Sequence, residues 1–187
     1  MKKYILLLIL TSINLSYSQV DPLDVEIVRD NFGVPHIYGK TDADVAYGLA
    51  WSHAEDDFKT IQQGYLAGNG LLSKHIGIKG AGADFLTQLI ESKETVDRLF
   101  NTLDSDFVKI IEAYSQGLNK YAETHPNEIL EKKLFPITPK KMTAYSFLQL
   151  FIANEADKLV LSIINNKVPR ENPFKDDIKG SNTFAFN

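Results

Sequence analysis

The spacing of apolar and polar residues predicts a β-hairpin near the beginning of the chain. Residues 25–28 alternate Val-Glu-Ile-Val, a pattern typical of a strand with one buried face. The sequence Asp-Asn-Phe-Gly at residues 30–33 favours a turn, because glycine readily adopts a positive φ angle. Extended structure is expected again over residues 34–38, where Pro35 favours an edge strand or the start of a strand.

A helical period replaces this alternation further along the chain. The residues from Thr41 to Asp44 have the spacing of a capping box and should begin a helix. Its expected apolar stripe comprises Val45, Leu49, His53, Phe58, Ile61 and Tyr65. Glycines at positions 64, 68 and 70 should then loosen the chain.

Further helices are expected in the second half of the chain. Short segments are indicated over residues 71–76, 85–90 and 96–100, and a clear stripe predicts a longer helix over residues 107–121. Thr138 and Pro139 fit an N-cap and a first helical position, and this last helix should run to about Ile164. The polar residues 165–180 are expected to form an exposed loop. The fold class is therefore α+β, mostly helical with an N-terminal hairpin.

The first eighteen residues have the organisation of a secretory signal peptide. A basic start at Lys2 and Lys3 precedes an apolar run over residues 5–10, and small residues at Ser16 and Ser18 fit the positions that a signal peptidase recognises. A membrane anchor is the alternative, but the run is shorter than the ~20 residues that span a bilayer. We expect cleavage after Ser18 and a protein that is secreted, periplasmic or extracellular, with no membrane contact after the leader is removed.

Composition and charge argue against several other functions. The 187 residues carry a net charge of −4, which becomes about −6 without the two leader lysines, so a nucleic-acid partner is not expected. The absence of cysteine excludes disulfides and thiolate chemistry. The glycine-rich residues 77–82 are expected to form a loop, and their spacing fits no phosphate-binding motif. His53 and Glu55 match half of a zinc deaminase pattern, but the cysteine half is missing, so we expect an inward-facing histidine on a solvated helix and no metal site.

Three stretches of the sequence carry a family resemblance. Residues 28–37 read VRDNFGVPHI, residues 46–58 read AYGLAWSHAEDDF, and residues 180–185 read GSNTFA. In this order and at this separation they resemble the penicillin-acylase family of N-terminal-nucleophile hydrolases. The resemblance covers nearly all of the chain after the leader, and it extends to the branch that acts on acyl-homoserine lactones and lipopeptides.

The resemblance implies a larger fold and a division of the chain. The complete protein would have a four-layer αββα arrangement, to which this segment adds helices and a hairpin. We expect a signal peptide at 1–18, an α-chain-like domain at 19–164, a linker or spacer at 165–180 and the start of a β-chain at 181–187. The remaining β-chain, including its oxyanion donors, is expected downstream, so the 187-residue chain alone should be inactive.

The resemblance also implies the nucleophile and the cleavage site. The precursor would cleave itself between Gly180 and Ser181, and Ser181 would become the catalytic N-terminal residue. Its α-amine, with a pKa near ~8, could serve as general base for its own hydroxyl without a histidine. Asn182 would have a supporting role in positioning the strand. The expected substrate is a small N-acyl amide.

One departure from the family concerns the acyl group. Penicillin acylases place an Arg-Phe pair after an Ala-Asn step, whereas Asn154 is followed here by Glu155 and Ala156. Ser162 stands where those enzymes use a glutamate for calcium, so no cofactor is expected. A candidate pocket for a longer acyl chain is formed by Phe151, Ile152, Ala156 and Leu159. The alternative is that these four residues pack in the core.

Other interpretations of these residues are open from the sequence. Ser181 could be an ordinary turn serine, because serine and glycine are common in turns. His36 is expected to be structural, beside the hairpin, because no partner at triad spacing can be named. Tyr47, Trp51 and Phe58 are expected in the core. The rival function is a non-enzymatic interaction module of the cell envelope, or a degenerate acylase.

Overall fold

The computed structural model describes residues 20–165 and residue 167, and it is mostly helical with one two-stranded antiparallel sheet. This confirms the predicted secondary-structure content of the fold. The strands are β1 (Glu26–Arg29) and β2 (Pro35–Tyr38), and the helices are α1 (Asp42–Gly68), α2 (Leu72–Ile76), α3 (Ala81–Leu89), α4 (Ser92–Leu99), α5 (Ser105–Thr124), α6 (Pro139–Ala153) and α7 (Ala156–Ile164).

The described residues form two compact units. The first contains residues 20–61 and 102–139, and the second contains residues 62–101 and 140–165. None of the helices within the described residues is long and apolar enough to cross a membrane.

The predicted hairpin is confirmed, and its turn follows from local chemistry. Glu26 lies opposite Tyr38, and Arg29 lies opposite Pro35. The Oδ1 atom of Asp30 accepts hydrogen bonds from two backbone N–H groups of the turn, at 2.8 and 3.0 Å. Gly33 has φ +82°, which only glycine adopts without strain.

The hairpin packs against α1 at Gly48. A Cβ atom at this position would lie 2.6 Å from Cγ2 of Ile37 and 2.8 Å from Cγ1 of Val25. Carbon atoms normally approach no closer than about 3.5 Å, so the contact between hairpin and helix requires a residue without a side chain.

Helix α1 is interrupted at Asp57, whose backbone leaves the helical region at φ −159° and ψ 71°. The Oδ1 atom of Asp57 accepts a hydrogen bond from the backbone N–H of Thr60 at 3.0 Å, which is the contact of an N-cap. The element is thus two consecutive helices, and Asp57 begins the second.

The predicted stripe of α1 is wrong in the first segment of the helix. Val45, Leu49 and His53 are exposed, and the buried face of the first segment instead carries Ala46, Tyr47, Ala50 and Ala54. The buried series continues at the same spacing through Phe58, Gln62 and Leu66, so the error came from favouring large apolar side chains over alanine as the buried residues. Gly64 and Gly68 also do not end the helix, since α1 continues to Gly68.

Helix α5 packs against α1 within the first unit. Ile111, Leu118 and Tyr121 are buried as predicted, whereas Phe107 is half exposed. Gly117 allows close packing on α1, because a Cβ there would lie 2.5 Å from the backbone oxygen of Tyr47.

Two further predictions of chain geometry are wrong. The glycine-rich residues 77–82 do not form an open loop: Gly77–Gly80 is a 3-10 helix, and α3 begins directly after it. The single helix expected to reach Ile164 is broken between α6 and α7, where Glu155 has φ +57°. No glycine or proline marks this break in the sequence, so propensity could not reveal it.

Candidate functional site

The predicted cleavage site lies outside the described residues. Gly180, Ser181 and Asn182, together with the leader over residues 1–18, belong to parts of the chain of which the structure gives no account. The described residues contain the first two resemblance stretches and the candidate acyl pocket.

The two resemblance stretches meet at a charged corner between β1 and α1. The Nη2 atom of Arg29 lies 3.0 Å from Oε2 of Glu55 and 2.9 Å from Oδ1 of Asp56. Its Nη1 donates to the carbonyl oxygen of Gly33 at 2.8 Å, so one guanidinium joins the turn to the helix. The hydrogen bond to Glu55, followed by that to Asp56, raises the pKa of Arg29, which keeps the group charged.

Aromatic side chains support this corner from within the first unit. The Nε1 atom of Trp51 donates to Oε1 of Glu55 at 2.8 Å, so Glu55 is held by both Trp51 and Arg29. The ring of Trp51 meets Tyr121 edge-on at 5.3 Å, and Tyr121 stacks on His125 at 4.0 Å. Phe58 contacts the same tyrosine ring edge-on at 5.0 Å. These contacts fix the carboxylate of Glu55 in one place.

The expected core aromatics largely occupy the interior. Tyr47 and Phe58 are buried, as predicted, and Trp51 is half-buried. Sequence reasoning did not identify Arg29 and Glu55 as a pair. Both residues lie inside the resemblance stretches, which is the signal that could have linked them.

The two candidate histidines are placed differently from each other. His36 is exposed, and its Nε2 lies 3.5 Å from Oδ2 of Asp30 across the hairpin. His53 is exposed as well, so the expectation of an inward-facing side chain is wrong; its Nδ1 lies 2.8 Å from the hydroxyl of Tyr114. The first segment of α1 buries small alanines instead, which leaves His53 on the outer edge of the helix.

Metal-ligating side chains do not gather in the described part of the chain: no three His, Asp or Glu residues there are placed to hold an ion. At the position that the resemblance relates to calcium, the hydroxyl of Ser162 donates to the carbonyl oxygen of Lys158 at 2.9 Å. A single neutral hydroxyl bound to its own helix does not provide the carboxylate charge that calcium prefers.

The candidate acyl-pocket residues lie on both sides of the break between α6 and α7. Phe151 and Ile152 are in the last turn of α6, and Ala156 and Leu159 are in α7. Ile152 is 46% exposed, and the other three are half-buried. The structure therefore brings the four residues to one junction, and in the described structure none of them is fully enclosed by the core.

The first half of α6 is firmly held within the second unit. Ala144 and Leu148 are buried, and the hydroxyl of Ser92 donates to the carbonyl oxygen of Ala144 at 2.9 Å. Tyr145 packs against Gly64 and Gly68 of α1. The second half of α6 is less covered, since Leu150 and Ile152 are exposed.

Comparison with known proteins gives the family. The penicillin amidase family matches residues 24–187. This chain belongs to the penicillin amidase family. The matched range includes the three resemblance stretches and the Gly-Ser-Asn sequence at residues 180–182.

Relatives within the penicillin amidase family include penicillin and acyl-homoserine lactone acylases. Penicillin G acylase of Escherichia coli is 22% identical over 140 residues, which are 72% of this chain and 16% of that protein. Penicillin acylase 2 proenzyme of Pseudomonas sp. (strain SE83) is 27% identical over 97 residues, which are 52% of this chain and 12% of that protein. Acyl-homoserine lactone acylase PvdQ of Pseudomonas syringae pv. syringae is 24% identical over 103 residues, covering 51% of this chain and 13% of the relative. The matched part is thus less than a fifth of each relative.

A solved structure of the family has the same fold. Thermostable penicillin G acylase from Alcaligenes faecalis superposes with a TM-score of 0.59 at 17% sequence identity. The match covers 87% of this chain and 98% of the other. The helices and hairpin described above are therefore similar to a folded segment of a penicillin amidase.

Proposed function

We propose that this chain is the N-terminal part of the precursor of a secreted amidohydrolase, which cleaves N-acyl amides through Ser181. The observation that carries the proposal is the family match across residues 24–187, because it contains Gly180, Ser181 and Asn182 in the expected order. The relatives support it, since they are named as acylases and one of them as a proenzyme.

Ser181 is the nucleophile of the proposed self-cleavage, and it is later the nucleophile of catalysis. In the precursor, its hydroxyl attacks the carbonyl carbon of Gly180, the acyl group moves from nitrogen to oxygen, and water hydrolyses the resulting ester. Glycine at position 180 leaves that carbonyl sterically open. The product carries a free α-amine on Ser181, which accepts the hydroxyl proton through a water molecule.

The mature enzyme then transfers the acyl group of the substrate to Ser181. The amine product leaves, and a second water releases the carboxylic acid from the ester. Oxyanion donors are needed at both steps, and the loss of one typically costs about 2.7–4 kcal/mol. We place these donors on a β-chain of the same precursor, which would complete the αββα fold. The 187-residue chain alone should therefore show no turnover.

We further propose a substrate with an apolar acyl chain, of the kind carried by acyl-homoserine lactones or lipopeptides. The support is the junction between α6 and α7, where Phe151, Ile152 and Leu159 are apolar and incompletely covered. The relative named as an acyl-homoserine lactone acylase is in agreement with this assignment. No step of the proposed reaction uses a metal.

Secretion is proposed from the leader, with cleavage after Ser18. Val20, two residues after the proposed cleavage site, is buried, and its backbone N–H donates to Oε1 of Gln116 at 3.0 Å. The mature chain would thus be anchored to α5 directly after its new N-terminus. Its site of action would be the periplasm or the extracellular space.

Intact-mass analysis of the complete gene product tests the proposal. We expect the wild type to divide between Gly180 and Ser181, and we expect Ser181→Ala to remain whole because it lacks the attacking hydroxyl. Ser162→Ala is the matched control and should divide like the wild type, since that hydroxyl bonds within α7. A wild type that stays uncut would favour a non-enzymatic envelope module or a degenerate acylase.

A further inference from the structure

Helix α6 crosses α1 at an unusually close contact within the second unit. A Cβ atom at Gly68 would overlap Cα of Tyr145 and would lie 2.8 Å from its backbone nitrogen. At Gly64, one turn earlier, a Cβ would lie 2.6 Å from both Cζ and Oη of the same tyrosine. Because carbon atoms normally separate by about 3.5–4.0 Å, either methyl group would displace its neighbour by about 1 Å.

The tyrosine in this contact is held from several sides. Its ring meets Tyr65 edge-on at 5.0 Å, and its hydroxyl accepts a hydrogen bond from Nε2 of Gln149 at 2.8 Å. Burial raises the pKa of Tyr145, so it remains a neutral phenol at ordinary pH. The contact therefore fixes both the distance of α6 from α1 and the rotation of α6 about its own axis at this point.

The face of α6 that carries Tyr145 leads to the candidate acyl pocket. Ile152 follows seven residues later, which is two helical turns or about 10 Å along the axis, and so it lies on the same face. At Tyr145 this face is packed on glycine, whereas at Ile152 it is 46% exposed. A displacement of α6 at Tyr145 would move Ile152 with it, because the backbone hydrogen bonds of one continuous helix connect the two residues.

We infer that Gly64 and Gly68 are positioning residues for substrate selectivity, which set the place of the pocket-lining end of α6 through their contact with Tyr145. This inference rests on the proposed acylase function. It assigns selectivity to residues that do not themselves line the candidate pocket. A displacement of about 1 Å is large enough to alter how an acyl chain is held for reaction.

Selectivity is measured as a ratio of two kcat/KM values in the complete gene product. The probes are N-octanoyl and N-phenylacetyl p-nitroanilides, which differ in the length and shape of the acyl group. The ratio cancels the fraction of active enzyme, so a variant that merely folds or matures poorly leaves it unchanged. We expect Gly68→Ala to change the ratio by roughly tenfold or more, as small changes in pocket fit do.

Gly82→Ala is the matched control. Gly82 lies in α3, within the same unit, and a Cβ there would meet no atom within 4 Å. We expect its ratio to remain within about twofold of the wild type, because additional helical alanine is not disruptive.

A double-mutant cycle with Tyr145 distinguishes the contact made by Gly64 from the contact made by Gly68. At Gly64 the clash is with the ring of Tyr145, whereas at Gly68 it involves the backbone. In a Tyr145→Ala background, Gly64→Ala should therefore leave the ratio unchanged within about twofold, while Gly68→Ala should still alter it. This comparison decides the inference even where Gly68→Ala fails to fold, because Gly64→Ala makes the milder clash.

The outcomes distinguish the inference from the proposed function. A wild type that cleaves both probes at a ratio unaltered by Gly64→Ala and Gly68→Ala overturns the inference and leaves the acylase function standing. The inference is also overturned if Gly64→Ala changes the ratio of kcat/KM values equally in the wild-type and Tyr145→Ala backgrounds. A wild type that neither divides at Ser181 nor cleaves either probe overturns both.

Discussion

The corner between β1 and α1 and the junction between α6 and α7 are held together in different ways. At the corner, Arg29 connects Glu55, Asp56 and the turn at Gly33 through directional polar contacts. At the junction, the exposed side chains of Leu150 and Ile152 are apolar, and Glu155 adopts a left-handed conformation. Directional contacts specify one geometry, whereas contacts between apolar side chains are non-directional.

This difference leads us to expect different roles for the two regions. The corner is formed by the two stretches that carry the family resemblance. The junction contains Glu155 and Ala156 after Asn154, where the resemblance implies a departure from penicillin acylases. We therefore expect changes at the corner to affect stability and changes at the junction to affect selectivity.

The largest expected effect is on the packing of the hairpin against α1. Gly48→Ala places a methyl group against Ile37 and Val25, and such overpacking typically costs about 1–3 kcal/mol. The free energy of unfolding, measured with urea, should fall by this amount. Gly82→Ala serves as the control and should keep or raise stability, by up to about 1 kcal/mol, because alanine is favoured over glycine in a helix. Equal stability of Gly48→Ala and wild type would show that the hairpin does not need this close contact.

An intermediate effect is expected at the junction. Glu155→Gly removes the strain of a left-handed non-glycine residue and should stabilise the protein by about 1 kcal/mol. Glu91, with φ +49° before α4, is a matched control, so Glu91→Gly should give a similar gain. The ratio of kcat/KM for octanoyl and phenylacetyl substrates should change in Glu155→Gly and not in Glu91→Gly. Identical behaviour of both variants in this ratio would contradict a selective role for the junction.

The smallest expected effect is on acid stability near the corner. The hydroxyl of Thr60, and then its backbone N–H, lower the pKa of Asp57. Because the folded pKa is lower than the unfolded one, this contribution is present above about pH 4 and is lost as the pH falls through the folded pKa. Asp57→Asn keeps the cap acceptor without titrating, so its melting temperature should fall less between pH 6 and pH 3. If the melting temperatures of the wild type and Asp57→Asn fall in parallel as the pH is lowered, Asp57 is excluded as a source of acid sensitivity.

Local sequence predicted the local structure well. Asp30 and Gly33 specified the turn, and Thr138 with Pro139 placed the start of α6 to within one residue. The longer helices were also expected, because their apolar periods extend over several turns.

Errors arose where the tertiary structure overrides local preference. The first segment of α1 buries Ala50 and Ala54 instead of larger apolar side chains, and so His53 was wrongly expected to face inward. The break at Glu155 has a non-glycine residue in a left-handed conformation, which sequence propensity disfavours. The pairing of Arg29 with Glu55 joins residues 26 positions apart and follows from the packing of the hairpin on α1.

The central claim is that Ser181 becomes an activated N-terminal nucleophile, and covalent labelling tests it most directly. A sulfonyl fluoride loses fluoride as its sulfur bonds to an activated serine oxygen, and peptide mass mapping locates the product. We predict one label, on a peptide that begins with Ser181, and a loss of amide hydrolysis in proportion to labelling. Complete inactivation with the label on any other residue, or continued hydrolysis by Ser181→Ala, would contradict the account.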